Sequence, residues 1–359
     1  MLVTQQPVLR RFWYPVMPIT SLADGPKPFR LLGEDLVLWL IAPGQPAAIV
    51  DRCCHRSAKL SRGFCREGHL VCGYHGWEYD EAGRVVRIPQ HDSGDGHVSS
   101  RLGMPSFRAA ERYGYVWVAL AEPLYPLPEF EEATTAGFRQ INQFYEAWNC
   151  AGLRLMENSF DNAHFSFVHR GTFGDSGHPQ PAKLEIDEYD DGFLMRSSVP
   201  VKNPAIQKSL LKIASDDTVR HMRARWWMPF LRKLQITYPN GLVHSIVTAG
   251  TPIDDRSSQI VQFCFRNDTE AEARAEEVNR FDRQVTLEDK DILESTDPDV
   301  PLDQTGVEAN MPSDRPGILM RRMLRGLLER HAEHEARDGG RGHHFISENQ
   351  ALREHLALT

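Results

Sequence analysis

The chain has 359 residues, enough for two domains that each bury a core. Its 41 Lys and Arg against 49 Asp and Glu give a net charge of −8, which excludes a general binder of nucleic acid or of anionic membranes. Six cysteines are too few for a disulfide framework, no run approaches ~18 apolar residues, and residues 1–16 lack the features of a cleaved leader. The expectation is a cytoplasmic protein without a membrane span.

From residue 12 to about residue 120 the sequence is a series of short β-rich runs, among them residues 36–41, 47–50 and 115–120, broken by Gly, Pro and Asp. The pattern predicts a small antiparallel all-β domain. Inside it, residues 51–80 hold two Cys/His pairs of unequal spacing, Cys53-x-His55 and Cys72-x-x-His75, with sixteen residues between them. Each pair offers one thiolate and one imidazole. Structural zinc usually takes paired Cys from one knuckle and paired His from a helix. Interleaved ligands suit a Rieske [2Fe–2S] cluster, in which one iron takes two thiolates and the other two imidazoles. Zinc or a structural thiol cluster is the alternative. Hairpin tips would carry both ligand loops and set the cluster near the surface, where electrons enter and leave. His69, His91 and His97 lie nearby without ligand spacing and read as solvated loop histidines.

This stretch resembles the Rieske domain of Rieske non-haem iron oxygenases, and the run Tyr74-His75-Gly76-Trp77 behind Cys72 is among the most specific matches. The chain departs from the family's common pattern by having Cys54 and Gly73 where Pro is more usual. Neither is a ligand position, and the Cys-x-His register favours Cys53 over Cys54.

Residues 122–129 hold three prolines and read as an extended connector. The expected organisation is a Rieske domain over residues 1–122, a catalytic domain over 123–335 and a C-terminal tail over 336–359. In the tail, Gly339-Gly340 and the pair His343-His344 suggest mobility and no strong metal site.

Residues 157–169 carry the second constellation, Asp161, His164 and His169. On a helix Asp161 and His164 share a face, but His169 points roughly 140° away from His164. If both histidines bind one metal, the helix must bend or end between them. The alternative is an aromatic core helix built on Phe160, Phe165 and Phe167. The pattern Asp-x-x-His-x4-His resembles the mononuclear iron motif of the same oxygenases. Non-haem iron of that kind takes two His and one carboxylate and keeps open positions for oxygen.

The carboxylate has to come from elsewhere. A helix predicted over about residues 270–295 offers Glu288, Asp289, Asp291 and Glu294, with Val278, Phe281, Val285, Ile292 and Leu293 marking its apolar face. Asp289 falls roughly 30° from the centre of that face and Glu288 roughly 70° off it, while Asp291 and Glu294 point to solvent. A carboxylate on a buried face should be paired or bind metal. The family's spacing of an Asp five residues before a Glu also selects Asp289, with Glu294 as that Glu.

Between the motifs, alternating runs at residues 193–199, 219–227, 234–238, 243–248 and 259–265 predict an antiparallel sheet. The resemblance implies a helix-grip (START-like) catalytic domain, α+β overall, with the concave face of the sheet over the iron. Arg220, His221, Arg223 and Arg225 crowd one strand, and alternation sets Arg220 on the face opposite the other three. One set facing the pocket would favour an anionic substrate; exposed or subunit-interface arginines are the plainer reading. Asn158, Phe165, Phe173 and the strand at 243–248 are candidate pocket residues, with core packing as their alternative role. Residues 299–316 read as a loop that crosses the surface or covers the pocket, and residues 318–335 as a basic amphipathic helix.

The resemblance covers nearly the whole chain and is nearest to the homomeric branch that includes caffeine N-demethylases and dicamba O-demethylase. It implies a [2Fe–2S] cluster on Cys53, His55, Cys72 and His75, and a mononuclear Fe(II) on His164, His169 and Asp289. Asp161 is implied as the bridge from His164 to a cluster histidine, His75, across the subunits of a homotrimer. No flavin or nicotinamide fingerprint is present, so a separate reductase, with or without a ferredoxin, is expected to supply electrons. The implied activity is O2-dependent hydroxylation or oxidative demethylation of a small heterocyclic or aromatic compound. Cis-dihydroxylation of an arene is the enzymatic alternative. A pure Rieske electron carrier would leave the second motif unexplained, and a ligand-binding helix-grip protein would leave the first.

Overall fold

The computed structural model describes residues 1–91, 98–177, 179–203, 205, 208, 213–299, 301–305 and 307–338. His97 and the pair His343-His344 lie outside the described residues. The chain divides into two compact units, Leu9–Leu127 and Met1–Val8 with Pro128–Thr359.

The first unit is built of two antiparallel sheets. The larger has the order β1 (Tyr14–Pro18), β10 (Tyr115–Ala119), β9 (Ser106–Arg112), β4 (Gln45–Val50), β3 (Glu34–Ala42), β2 (Lys27–Leu31). The smaller runs β5 (Phe64–Arg66), β6 (His69–Val71), β7 (Glu78–Tyr79), β8 (Val85–Arg87). The central run Leu36-Val37-Leu38-Trp39 is buried residue after residue, because both faces of β3 are covered. Trp39, Leu60, Leu70 and Tyr79 form one apolar cluster, and Cys53 and Cys72 belong to it.

The second unit holds a seven-stranded antiparallel sheet. Its order is β11 (Arg139–Trp148), β17 (Ser258–Arg266), β16 (Val243–Pro252), β15 (Leu231–Thr237), β14 (Asp217–Trp227), β13 (Gly192–Lys202), β12 (Leu184–Tyr189). Four α-helices among the described residues accompany it: α1 (Gly152–Phe160), α2 (Phe165–Val168), α3 (Ala275–Leu293) and α4 (Arg315–Arg330). Helix α3 packs on β11, and α1 packs on β16, α3 and α4. The fold is therefore an all-β Rieske domain followed by an α+β helix-grip domain. The five expected runs fall on β13 to β17, with only Tyr238 beyond the end of its strand. Strands β11 and β12 were not anticipated, since β11 is largely polar and β12 is an acidic edge strand.

Helix boundaries differ from the sequence expectation for local reasons. Residues 269–273 close a turn in which the Thr269 amide donates to Glu272 at 2.9 Å, and Arg274 is extended, so α3 begins at Ala275. Helix α4 starts three residues early, with Pro316 in the first turn where its missing N–H costs nothing, and stops before Ala332, whose φ is +56°. Ile292 does not belong to the inward face of α3, being 49% exposed. The stripe turned to the sheet is Val278, Asp282, Val285, Asp289, Leu293, which steps by four, three, four and four residues. The loop at 299–316 is tied down on the surface: Pro301 O accepts from Arg321 Nη1 at 2.8 Å, and Glu308 pairs with Arg154 of α1. None of its described residues lines the cavity.

Candidate metal centres and substrate cavity

Two turns bring the first Cys/His pairs together. Cys72 to His75 occupies the tip of the β6–β7 hairpin, as expected. Cys53 and His55 instead lie in the connection from β4 of one sheet to β5 of the other, because the chain changes sheets there. Asp51 shapes that connection by accepting the Ser61 amide and hydroxyl, both at 2.7 Å. In the hairpin tip, Gly76 has a φ of +73° and its amide donates to Cys72 O at 2.9 Å, a turn that a side chain would strain. Gly73 sits where the two loops touch: a Cβ there would come 2.9 Å from Arg62 O.

The donor set fits a Rieske cluster. Cys53 and Cys72 are both buried whereas Cys54 is half-buried, which fits the expected register of Cys53. The His55 and His75 rings lie 4.5 Å apart, and His55 stacks on Trp77 at 4.6 Å. His55 Nδ1 is buried without a hydrogen-bond partner, as an atom reserved for a metal should be. Desolvation, with His75 and Arg56 nearby, holds His55 below the usual histidine pKa and therefore neutral. The Tyr79 hydroxyl lies 3.1 Å from Cys53 Sγ and accepts the Cys54 amide at 3.1 Å. His69 is half-buried, 3.8 Å from Glu78, and His91 is exposed.

The second constellation depends on a broken helix. Helix α1 ends at Phe160, Asp161 is extended, and α2 is a single turn flanked by His164 and His169. The two imidazoles, which a continuous helix would splay, therefore face each other. His164 Nε2 is 3.2 Å from His169 Nε2, and each lies 3.4 Å from Asp289 Oδ1 on α3. Three donor atoms bound to one divalent ion at about 2.1 Å would show such separations. Asp289 Oδ1 is buried and has no hydrogen-bond partner. Both features fit a cation between the three atoms, and two His with one carboxylate is the donor set of oxygen-activating iron.

Each imidazole is held from behind by a carboxylate. His164 Nδ1 faces Asp161 Oδ2 at 3.3 Å, and His169 Nδ1 faces Glu288 Oε2 at 2.9 Å, the same oxygen that accepts the Thr172 hydroxyl at 2.8 Å. These contacts turn both Nε2 atoms toward Asp289. Burial raises the Asp161 pKa, but its bonds with His164 and the Ala163 amide outweigh that and leave it below the usual carboxylate range. Burial likewise lowers His169 against the opposing pull of Asp289. Asp291 and Glu294 are exposed, as expected, and Glu294 accepts the Asn149 amide at 2.9 Å.

A cavity of about 110 Å³ opens on His164, His169 and Asp289. That is the scale of the ~150 Å³ cavity that takes up benzene. Asn158, Phe165, Phe173, His244, Ile246 and Thr248 line it, together with Arg220. His221 and Arg223 are exposed on the other face of β14, and Arg225 pairs with Asp191. A β-bulge at Gln143 turns its side chain inward, where it donates to Asp282 and accepts from Gln262. His244, Cys264 and Asp282 form a further buried group whose atoms lie within 4.8 Å of one another. Burial and the Asp282 charge push the Cys264 thiol well up, so it is a poor thiolate ligand, and the group reads as polar packing.

Sequence reasoning missed Glu288 and Thr172 as supports of His169, and Arg232, Asp282 and Gln262 as cavity residues. Glu288 was legible in principle, since it neighbours the ligand candidate; the others are set by sheet register.

A Rieske β domain joined to a two-His, one-carboxylate site on a helix-grip sheet defines a Rieske non-haem iron oxygenase. Residues 12–108 match the Rieske [2Fe-2S] domain family, and residues 148–330 match the vanillate O-demethylase oxygenase C-terminal domain family. The chain belongs to this latter family of Rieske non-haem iron oxygenases. Its Rieske domain implies a [2Fe–2S] cluster and its catalytic domain a mononuclear iron; oxygenase components of this family act with O2 on small substrates and draw on separate reductases. Methylxanthine N1-demethylase NdmA of Pseudomonas putida is 29% identical over 335 residues, covering 90% of this chain and 91% of the relative. The oxygenase component of dicamba O-demethylase from Stenotrophomonas maltophilia is 32% identical over 167 residues, 45% of this chain and 48% of the relative. The structure of Pseudomonas putida NdmA with caffeine superposes with a TM-score of 0.78 at 27% identity, covering 92% of this chain and 94% of that one. Dicamba monooxygenase bound to dicamba, at 22% identity and a TM-score of 0.75 over 90% and 98% of the two chains, shares the fold. Among the described residues no helix is long and apolar enough to cross a membrane.

Proposed function

We propose that this chain is the oxygenase component of a monooxygenase that oxidatively demethylates a small aromatic or heterocyclic compound. The observation that carries the reading is the convergence of His164 Nε2, His169 Nε2 and Asp289 Oδ1 in the wall of a largely apolar cavity. Cys53, His55, Cys72 and His75 would hold the [2Fe–2S] cluster, and His164, His169 and Asp289 the iron. The cluster supplies electrons singly and the iron activates O2. In net terms a methyl ether, O2, two electrons and two protons give the hydroxymethyl ether and water, and the former collapses to the alcohol and formaldehyde. Apolar walls such as Phe165, Phe173 and Ile246 would hold the ring and exclude water.

Asp161 is assigned to couple the centres. Its carboxylate already holds His164 Nδ1, and its second role would be a hydrogen bond to His75 of a neighbouring copy in a homotrimer. The relatives named for demethylation of methylxanthines and of dicamba support this choice over dihydroxylation. Six cysteines without a disulfide support a cytoplasmic setting.

The reading is tested by one turnover of reduced, iron-loaded protein with O2 and a mixed panel of N-methyl and O-methyl aromatics, followed by mass spectrometry. Loss of a methyl group with formaldehyde supports it. Gain of two oxygens and two hydrogens would replace it with dihydroxylation. An iron content of about two rather than about three per chain would point to an electron carrier.

A further inference from the structure

We propose that Arg220 makes the cavity selective for aromatic substrates that carry a carboxylate, which its guanidinium grips while the ring lies among the apolar walls leading to the iron ligands. The inference rests on the oxygenase reading and adds the substrate class to it.

Arg220 is 5% exposed on β14, yet among the described residues no ion pair reaches it, and its Nε and Nη2 have no hydrogen-bond partner. An arginine is rarely buried in that state, because its desolvation is normally answered by a carboxylate or by several carbonyls. What surrounds it here is aromatic. Its guanidinium carbon lies 4.5 Å from the Phe173 ring centroid and 5.9 Å from that of Tyr238. Cation–π contact with two rings fixes the guanidinium in place but satisfies none of its N–H groups. Nε and Nη2 are thus left without a partner in the wall of the cavity that the residue lines. A planar fork of this kind matches a carboxylate bidentately.

The other arginines of the cavity show the contrast. Arg266 is ion-paired with Asp268, and Arg232, although its Nε also lacks a partner, donates to Ser159 O at 3.1 Å and to the Thr248 hydroxyl at 3.2 Å, so it braces α1 against the sheet. It pairs with Trp226 on β14, six residues from Arg220, or about 20 Å along the strand. Asp282 of α3 does not bond Arg220: its Oδ2 accepts from Gln143 and lies 3.1 Å from His244 Nε2. Asp282 and the iron ligand Asp289 stand seven residues apart on α3, about 10 Å by the helical rise. Phe173 spans that interval, since it meets Arg220 on one side and stacks on the iron ligand His169 at a centroid distance of 4.7 Å. A single ring bearing a carboxylate at one end and the oxidised group at the other fits such a span.

The test is anaerobic calorimetry on full-length, iron-loaded protein, with benzoate, 4-methoxybenzoate and 4-(methylamino)benzoate against their amides and against caffeine. The expected result is carboxylate binding at least tenfold tighter than that of the matched amides and of caffeine. Arg220→Gln should bring the acid-to-amide ratio close to one, and Arg220→Lys should restore part of it. Amides or caffeine binding the unaltered protein as tightly as the acids would overturn the proposal, as would no binding by any acid or a ratio that survives in Arg220→Gln. The first comparison needs no variant, so misfolding of Arg220→Gln leaves the proposal decidable. Binding is read without O2: acid-selective binding without turnover would fault the oxygenase reading and keep the anion site, whereas turnover without acid selectivity would do the reverse.

Discussion

His169 Nδ1 donates to Glu288 Oε2 at 2.9 Å, and that single contact decides which nitrogen of the ring faces the cavity. Glu288 comes from α3, one residue before Asp289, so adjacent carboxylates of one helix serve the same imidazole from opposite sides. Thr172 closes the arrangement by donating to the same Glu288 oxygen.

Glu288→Ala should therefore weaken the mononuclear metal without removing a ligand. Outer partners of ligating histidines typically contribute roughly 10- to 100-fold in metal affinity. Titration of the metal-free site with Fe(II) or Co(II) should show a loss in that range, with the visible spectrum of the cluster unchanged. An unaltered affinity would mean that His169 is oriented by its packing on Phe165 and Phe173 alone.

Asp289→Ala removes a proposed ligand outright. Iron content should fall from about three to about two per chain while the cluster spectrum persists. Because Asp289 Oδ1 has no other partner, nothing else in the fold should depend on it. Retention of the third iron would move the carboxylate ligand to another residue.

The sequence made both metal centres legible because ligand chemistry restricts residue type and spacing together. Cys53-x-His55 and Cys72-x-x-His75 could be read before any fold was known, and the face of α3 selected Asp289 from four neighbouring acids. The approach of His164 to His169 depended on where α1 ends, which was legible only as a requirement. Arg220, Arg232 and Gln143 were harder, since their inward direction follows from strand register and from a bulge that no local pattern announces. Ile292 misled because apolar residues on a long helix need not all face the core.

Asp161→Asn should retain both metals and impair their coupling. The side chain keeps its size, and one oxygen can still accept the Ala163 amide that Asp161 holds at 2.7 Å. An amide nitrogen turned toward His164 Nδ1 would oppose the donor already there. Stopped-flow oxidation of the reduced cluster by O2 in the presence of substrate should slow by roughly tenfold to a hundredfold. An unchanged rate would exclude Asp161 from the route between the centres.

Glu132 makes a prediction about stability and pH that is independent of the metals. It is 2% exposed, accepts the Lys233 ammonium on both oxygens at 2.9 Å and the Ser245 hydroxyl at 2.7 Å, and so ties residues ahead of β11 to β15 and β16. Burial raises its pKa, but the bonds from Lys233 and Ser245 prevail and leave it below the ordinary glutamate value. A depressed folded pKa stabilises the folded state above the unfolded value of ~4.3, and that contribution disappears as pH falls through the lower folded value. Glu132→Gln leaves the Lys233 ammonium buried without its counter-charge, and should cost about 3 kcal/mol at neutral pH. Urea unfolding of the catalytic unit at pH 7 and at pH 3.5 should show the variant deficit large at the first and reduced at the second. A deficit that does not change between the two would mean that hydrogen-bond geometry, not charge, holds this corner together.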